Sequence, residues 1–174
     1  MDFKEFPKIP RLFEDCVITE KIDGTNSAIY IEQDIVRAAS RTRLLTLDAD
    51  HFNFCRWVTE NSLALIEELG PGVHFGEWWG KGIQRGYDVP DKRFSLFNVA
   101  RWENAPLKLC RVVPVIYRGL FLTEAVGEAA DKLKQEGSLA APGYMFPEGV
   151  VIFHEASRHL YKFPFDKVKV PRGL

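Results

Sequence analysis

The amino-acid sequence predicts an α+β domain with mostly antiparallel sheet. Short runs rich in β-branched and aromatic residues dominate the chain, and several lie only a few residues apart, which is typical of hairpins rather than of β-α-β units. Two longer segments have apolar residues at helical spacing and end at a glycine. The chain has 174 residues, 46% of them hydrophobic, which suits one domain with a substantial core.

The predicted strands are short and spread over the whole chain. In order, they are residues 16–20, 27–32, 35–39, 72–78, 94–100, 111–116, 149–154 and 158–163. Gln33-Asp34 separates the second from the third and predicts a tight hairpin. Pro114 weakens the prediction for 111–116, because proline has no N–H to donate. Residues 1–15 precede the first strand as an arm with two prolines.

Two helices are predicted from apolar spacing. Residues 51–69 carry apolar side chains at largely helical spacing, with Asp50 as the N-cap and a Gly-Pro pair as the stop. Thr123 can cap a second helix that continues to about residue 136, where Gly137 ends it. The order of strands, helix, strands, helix and strands supports an α+β domain.

Charge and cysteine content exclude several classes of protein. The formal net charge of −1 gives no global signal for nucleic acid, so a nucleic-acid function must rest on local patches. Cys16, Cys55 and Cys110 form no C-x-x-C pair, which argues against a disulfide framework or cysteine zinc site and favours a cytoplasmic location. The charged, proline-bearing N-terminus is unlike a signal peptide, and no run approaches the roughly 18 apolar residues of a membrane span.

Residues 19–26 read TEKIDGTN and raise the question of what Lys21 does. It is either a solvated side chain beside an Asp-Gly turn or a nucleophile. A Lys-x-Asp-Gly sequence alone occurs by chance in roughly a few per cent of chains this long. The segments that follow it in order make a nucleophile the better interpretation: GEW at 76–78, SLFN at 95–98, PEGVV at 147–151 and LYK at 160–162.

This ordered set resembles the covalent nucleotidyltransferase superfamily of ATP-dependent ligases and capping enzymes. The likeness is greatest to its RNA-ligase branch, which often has EKxxGxN as its first motif, and it covers about residues 16–165. The resemblance implies a ligase-type nucleotidyltransferase (ATP-grasp-like) domain, with mostly antiparallel sheets flanked by helices. Since only about a dozen residues follow Lys162, we expect one adenylation domain over residues 1–174, without an OB-fold or other C-terminal domain.

The resemblance implies a covalent mechanism. Lys21 would attack the α-phosphate of ATP, expel pyrophosphate and form lysyl-AMP; AMP would pass to an RNA 5′-phosphate, and a 3′-hydroxyl would then displace it. Lysine suits this chemistry because its neutral amine is a flexible nucleophile. The implied cofactors are ATP and Mg²⁺, with Mn²⁺ as a substitute. The implied partners are RNA ends or a nicked RNA duplex, and a separate partner domain is left open, as is the oligomeric state.

Three positions correspond to the family's nucleotide pocket. Backbone groups near Glu20 and Ile22 would read the adenine edge, and Phe97 would stack on the purine. By composition alone Phe97 is one of thirteen phenylalanines and would be a core residue. The sequence departs from the family at Asn98, where many relatives have an acidic residue.

Three further positions correspond to phosphate and ribose contacts. Asn26 belongs near the metal-bound phosphates, and Glu77 would accept hydrogen bonds from ribose hydroxyls. Arg41, in SRT, would bind phosphate or ribose oxygens with its planar fork, and Arg43 is the neighbour that could be confused with it. Without the resemblance, Glu77 and Arg41 would be exposed residues at strand ends.

Glu148 and Lys162 complete the implied site. Glu148 would help to hold Mg²⁺, because oxygen ligands suit that ion. Lys162 would contact the α-phosphate and stabilise charge during transfer. Many relatives have K-x-K at this position, whereas Lys162 is followed by Phe-Pro, so Lys167 and Lys169 are an alternative pair.

The glycine-rich, basic segment at 80–93 is too long for a tight hairpin. It would border the triphosphate or the RNA strand, or it would be a solvated connection. Two other functions also remain open for the whole chain. One is a DNA ligase or guanylyltransferase of the same superfamily, and the other is a non-catalytic nucleotide- or RNA-binding module.

Overall fold

The computed structural model describes residues 2–167, and this part of the chain forms nine strands and four α-helices. In chain order these are β1 (Asp15–Lys21), β2 (Thr25–Glu32), β3 (Ile35–Ser40), α1 (Phe54–Glu60), α2 (Ser62–Leu69), β4 (Gly72–Gly80), β5 (Lys92–Leu96), α3 (Val99–Trp102), β6 (Cys110–Val112), β7 (Val115–Leu120), α4 (Thr123–Glu136), β8 (Gly149–His154) and β9 (His159–Pro164). A 3-10 turn, Phe165–Lys167, follows β9.

The strands form two sheets. The first sheet has the order β7-β1-β8-β9, and the second has the order β3-β2-β4-β5-β6. Every neighbouring pair is antiparallel except β5 and β6, which are parallel. The predicted α+β fold with mostly antiparallel sheet is therefore confirmed.

Three clusters of buried side chains hold these layers together. Helices α1 and α2 pack on the second sheet around residues such as Phe54, Leu65 and Phe94. Helix α4 packs on the first sheet and buries its apolar stripe against β1 and β8. A third cluster, which includes Ile22 and Trp79, joins segments that belong to both sheets. Within residues 2–167, no helix combines the length and apolar character that a membrane crossing requires.

Alternation along β1 determines which side chains face the site. Ile18 packs in the cluster with α4, and the Glu20 carboxylate bonds to the segment after α4. Thr19 and Lys21 therefore lie on the opposite face of the sheet, because successive side chains of a strand point to opposite faces. Residues that pair across neighbouring strands share a face. Thr19 pairs with Val151 on β8, and Val151 pairs with Lys162 on β9, so Lys162 lies on the same face of the sheet as Lys21.

The helix predicted over 51–69 is two helices. Helix α1 ends at Glu60, and α2 begins at Ser62. The side-chain amide of Asn61 donates to the Trp57 carbonyl at 2.7 Å and so satisfies an acceptor at the end of α1. Asp50 is not the N-cap residue, although its carboxylate accepts from backbone N–H groups in the first turn of α1.

Two strand predictions were too long, and one cap was misplaced. The strand predicted over 94–100 ends at Leu96, and the residues after it turn into α3. The strand predicted over 111–116 is broken at Pro114 into β6 and β7, which belong to different sheets. Thr123 is the first residue of α4 rather than its cap, since Leu122 occupies the cap position. The other predicted strands and the β2–β3 hairpin are confirmed.

Candidate active site

Lys21 and Glu148 meet where β1 ends and β8 begins. The register pairs Lys21 with Gly149, so the residue before Gly149 lies beside the lysine. Lys21 Nζ is 2.7 Å from both carboxylate oxygens of Glu148. The two side chains are 24% and 19% exposed, so the ion pair lies partly out of water but is open to a ligand from one side. The structure thus brings together two residues that are far apart in the sequence.

Glu77 lies beside this pair and is buried, at 8% exposure. Its position on β4 pairs with Asn26 on β2, and Asn26 Nδ2 donates to Glu77 Oε2 at 3.0 Å. Burial raises the pKa of Glu77 to about 7, with the Lys21 charge lowering it and the Glu148 charge raising it. Near neutral pH, Glu77 is therefore divided between its protonated and ionised forms.

Gly24 allows the chain to pass close to β4 after the lysine. A Cβ at this position would lie 2.5 Å from the Trp78 carbonyl oxygen and 2.7 Å from Trp79 Cβ. The strand therefore leaves no room for a side chain, and the glycine is required by packing rather than by an unusual backbone angle. This close approach holds Asn26 next to Glu77.

Glu20 and Ile22 point away from Lys21. The Glu20 carboxylate accepts from Ser138 Oγ at 2.6 Å and from the backbone N–H groups of Leu139 and Ala140 at 2.8 and 2.9 Å. Burial raises the pKa of Glu20, and these hydrogen bonds lower it. The Glu20 N–H donates to Pro114, and the Ile22 side chain is buried. Both side chains and the Glu20 N–H thus have partners within the protein, and the predicted contact with the adenine edge stays a prediction.

Phe97 lies on the same sheet face as Glu77. Its N–H donates to the Phe75 carbonyl at 3.0 Å, which continues the β4–β5 register by one step beyond β5. The ring is 41% exposed, and the neighbouring Phe75 ring is also exposed. Asn98 has a structural role, because its side chain accepts from the Arg101 N–H and caps α3. An aspartate could cap the helix in the same way, so the cap explains a polar residue at this position but not the amide.

Arg41 follows the last residue of β3 and is exposed. Because β3 ends with Ser40 paired to Ser27, Arg41 lies one step further, next to the start of β2 and Asn26. Arg43 closes the turn instead, since its carbonyl accepts from the Ser40 N–H at 2.9 Å. The structure therefore distinguishes the two arginines by position.

Lys162 is exposed on β9, on the same sheet face as Lys21. Strand spacing and rise place its Cα about 12 Å from that of Lys21. Two long side chains at that separation can converge on one phosphate. The side chain of Lys167 and all of Lys169 lie outside what the structure describes, so the choice between Lys162 and that pair stays a prediction.

The segment at 80–93 is more than a solvated connection. Ile83 and Tyr87 are completely or almost completely buried, and Tyr87 lies against Trp79 with ring centroids 5.1 Å apart. Tyr87 and Arg85 both contact Asp23, two residues after Lys21. The sequence interpretation missed both residues; the apolar side chains Ile83 and Tyr87 in a glycine-rich segment were a signal that the segment packs, but nothing in the sequence pointed to Arg85.

The carboxylates at the site are too few to surround a metal ion by themselves. Over the described residues, no group of three or more His, Cys, Asp or Glu side chains has the geometry to hold a metal ion. Glu148 is partly exposed, and its charge contributes to the raised pKa of the neighbouring Glu77. Such a donor set fits Mg²⁺ that keeps several waters and is also bound by substrate phosphates.

Comparisons with known proteins identify a family and solved structures that share the fold. The pattern that defines the RNA ligase family matches residues 14–168. Solved structures of Naegleria gruberi RNA ligase mutants share the fold, including one with ATP and Mn (TM-score 0.64, 17% identity, 87% of this chain and 49% of that chain). An apo mutant has a TM-score of 0.63 at 19% identity over 87% of this chain and 50% of that chain. This chain therefore spans about half the length of those ligases. The chain belongs to the RNA ligase family.

Proposed function

We propose that this chain is the adenylation domain of an ATP-dependent RNA ligase, with Lys21 as the nucleophile. The observation that carries the proposal is the meeting of Lys21 at the end of β1, Glu148 just before β8 and Glu77 within β4. Family membership supports it, as does the shared fold with ligases that were solved with ATP and Mn. The central step is transfer of AMP from ATP to the lysine.

The nitrogen of Lys21 attacks the α-phosphorus of ATP. A P–N bond forms, the P–O bond to the leaving group breaks, and pyrophosphate carries away the electron pair. The amine must be neutral to attack, so the lysine must first release a proton. Glu148 lies within hydrogen-bond distance of Nζ and can hold the ammonium form before the nucleotide arrives. Binding of ATP must displace or reorganise this ion pair before Lys21 can be adenylylated.

Other side chains bind and orient the nucleotide. Phe97, which is exposed, stacks on the purine, and Glu77, on the same sheet face, hydrogen-bonds to ribose hydroxyls. Asn26 and Arg41, which lie beside each other at the start of β2 and just after β3, bind the phosphates. Lys162 approaches the α-phosphate from β9 and stabilises the charge that develops during transfer. Backbone groups next to Glu20 and Ile22 read the adenine edge.

Glu148 is the residue that would hold a divalent cation, with water and ATP phosphates as the other ligands. A bound Mg²⁺ or Mn²⁺ would offset phosphate charge and favour the neutral form of the lysine amine. The protein's own contribution is to keep Glu148 next to Nζ and oriented by the β1–β8 register.

The lysyl-AMP intermediate also supplies the AMP with which RNA strands are joined. AMP passes from Lys21 to an RNA 5′-phosphate, and an RNA 3′-hydroxyl then attacks that phosphate and releases AMP. RNA ends or a nicked RNA duplex are the proposed substrates. The net charge of −1 suits a small RNA footprint or assistance from a further domain.

The test is incubation with α-labelled ATP and Mg²⁺, followed by a denaturing gel. The wild-type chain should retain an acid-labile label, and Lys21→Ala should lose it. Lys132→Ala, which removes an exposed lysine of α4, is the matched control and should label like the wild type. A label from GTP instead of ATP would indicate a capping guanylyltransferase, and no label from folded protein would indicate a binding module.

A second assay addresses the acceptor strand. The labelled protein is mixed with nicked duplexes that carry either RNA or DNA at the 5′-phosphate and 3′-hydroxyl. Transfer of AMP to the RNA nick in preference to the DNA nick supports the proposal. Equal or better transfer to DNA would make the chain part of a DNA ligase.

A further inference from the structure

Arg85 joins three separate segments of the chain at the active site. Its Nε donates to Asp23 Oδ2 at 2.9 Å, and one terminal nitrogen donates to the Phe146 carbonyl at 3.1 Å. The other terminal nitrogen pairs with the Asp166 carboxylate. The side chain is 24% exposed, so these contacts are partly shielded from water. No other arginine in residues 2–167 is hydrogen-bonded to three different segments.

Each of these partners adjoins a residue of the proposed mechanism. Asp23 follows Lys21 by two positions, and Phe146 precedes Glu148 by two. Asp166 lies just after β9, the strand that carries Lys162. Arg85 therefore fixes the segment after the nucleophile to the segment before its carboxylate partner.

Tyr87 forms a second contact with Asp23, in addition to that of Arg85. The Asp23 N–H donates to Tyr87 Oη at 2.7 Å, so the backbone and the side chain of Asp23 are both bound by residues from one loop. The Tyr87 ring is wedged between Trp79 and Tyr144, with centroid distances of 5.1 and 4.8 Å. The loop containing residues 85–87 is thus anchored by packing as well as by hydrogen bonds.

The same loop contains strained backbone. Gln84, Tyr87 and Asp88 have φ angles of 46°, 55° and 53°, which lie in the left-handed region that residues with side chains rarely adopt. Such conformations persist when surrounding contacts over-determine them, and they concentrate at functional sites. Here the strained backbone conformation places Arg85 and Tyr87 in contact with Asp23.

Lys21 is the last residue of β1, so the chain that follows it must be fixed by contacts outside the sheet. The strand stops at Lys21, and residues 22–24 belong to no strand. Ladder hydrogen bonds therefore do not fix the chain immediately after the nucleophile. In-line attack requires close alignment, and a displacement of about 1 Å can slow a reaction about 100-fold.

We propose that Arg85 is a positioning residue for the nucleophile. By binding Asp23 and Phe146 at once, it holds Lys21 and Glu148 in the mutual placement from which the amine attacks. The inference rests on the proposed function and concerns only the rate of the attack, not the capacity to bind ATP. A lysine could replace the charge of Arg85 but not its fork, because an ammonium cannot point to three partners in one plane.

The test compares Arg85→Ala and Arg85→Lys with wild type in single-turnover formation of lysyl-AMP over a range of ATP concentrations. We expect the maximal rate to fall about 100-fold in Arg85→Ala, with a half-saturating ATP concentration within about threefold of wild type. Arg85→Lys should recover only part of the rate. Arg118→Ala is the matched control, since it breaks a comparable ion pair with Glu103 that involves none of the proposed site residues.

The outcomes separate this inference from the proposed function. If wild type forms no lysyl-AMP, the proposed function fails. If wild type reacts and both Arg85 variants react at its rate, the positioning role is wrong. If a rise in the half-saturating ATP concentration accounts for the whole loss of rate, Arg85 is a binding residue and the positioning role is wrong. If Arg85→Ala lowers the melting temperature so far that the fraction of unfolded protein accounts for the lost rate, Arg85 is merely structural and the positioning role is wrong. Should Arg85→Ala not fold, a wild-type rate in Arg85→Lys would by itself overturn the inference.

Discussion

At the level of single residues, Glu77 illustrates how burial changes the chemistry of a carboxyl group. The side chain is almost inaccessible, and burial is the largest cause of its raised pKa of about 7. The Lys21 charge opposes the rise but does not cancel it. A carboxyl group in this state can both donate and accept hydrogen bonds near neutral pH, which suits recognition of ribose hydroxyls.

The raised pKa makes protein stability depend on pH with a definite sign. Because the folded-state value of about 7 exceeds the ordinary 4.5, protonated Glu77 stabilises the fold fully below pH 4.5. That stability is lost as pH rises through 7, by up to about 3 kcal/mol. We expect the free energy of unfolding of wild type to fall relative to that of Glu77→Gln between pH 4.5 and 8.

Denaturant titrations at several pH values measure this difference. Glu60→Gln, at an exposed position of α1, is the control and should keep the pH dependence of wild type. Parallel pH profiles for wild type and Glu77→Gln would mean that Glu77 ionises normally, and the account of its burial would be wrong.

Glu148 is predicted to determine the metal requirement of the reaction. Glu148→Gln keeps the shape of the side chain but removes the charge that would bind Mg²⁺. We expect the Mg²⁺ concentration for half-maximal labelling by ATP to rise about tenfold or more, because oxygen ligands for this ion depend on charge. Glu155→Gln, exposed at the other end of β8, is the matched control and should have no effect. An unchanged Mg²⁺ dependence in Glu148→Gln would exclude Glu148 as a ligand.

At the level of secondary structure elements, Glu20 connects β1 to the chain that leaves α4. Its carboxylate satisfies the Ser138 hydroxyl and two backbone N–H groups in a buried place. Glu20→Ala would leave those donors without a partner, and we expect a loss of about 3 kcal/mol in the free energy of unfolding. Urea titration measures it, with Glu136→Ala on the exposed side of α4 as the control. A loss no larger than in the control would contradict this role.

The sequence allowed most elements to be predicted, and the errors have local causes. Apolar spacing remains in phase across Asn61, so it could not reveal that α1 and α2 are separate helices. The strand predicted over 94–100 ends at Leu96, and Asn98, which was compared with an acidic position of the family, caps the helix α3 that begins at Val99. Pro114 did carry a visible signal, and the chain passes from one sheet to the other at that point.

At the level of the whole molecule, the site lies where the two sheets meet. Lys21 and Glu148 come from the first sheet, whereas Asn26, Glu77 and Phe97 come from the second sheet or its continuation. The ordered motifs allowed these residues to be predicted together, because each motif carries its own residue pattern. The contribution of Arg85 could not be predicted, since its three partners lie about 60 or more positions away in the sequence and are met only after folding.

The most direct test of the account is to locate the nucleotide on the protein. The folded chain is incubated with ATP and Mg²⁺, digested, and analysed by mass spectrometry for a peptide that carries AMP. The account predicts AMP on Lys21, in the peptide that contains EKIDGTN. With digestion and analysis kept at neutral or alkaline pH, where the P–N bond survives, AMP on any other residue or unmodified Lys21 in folded protein would contradict it.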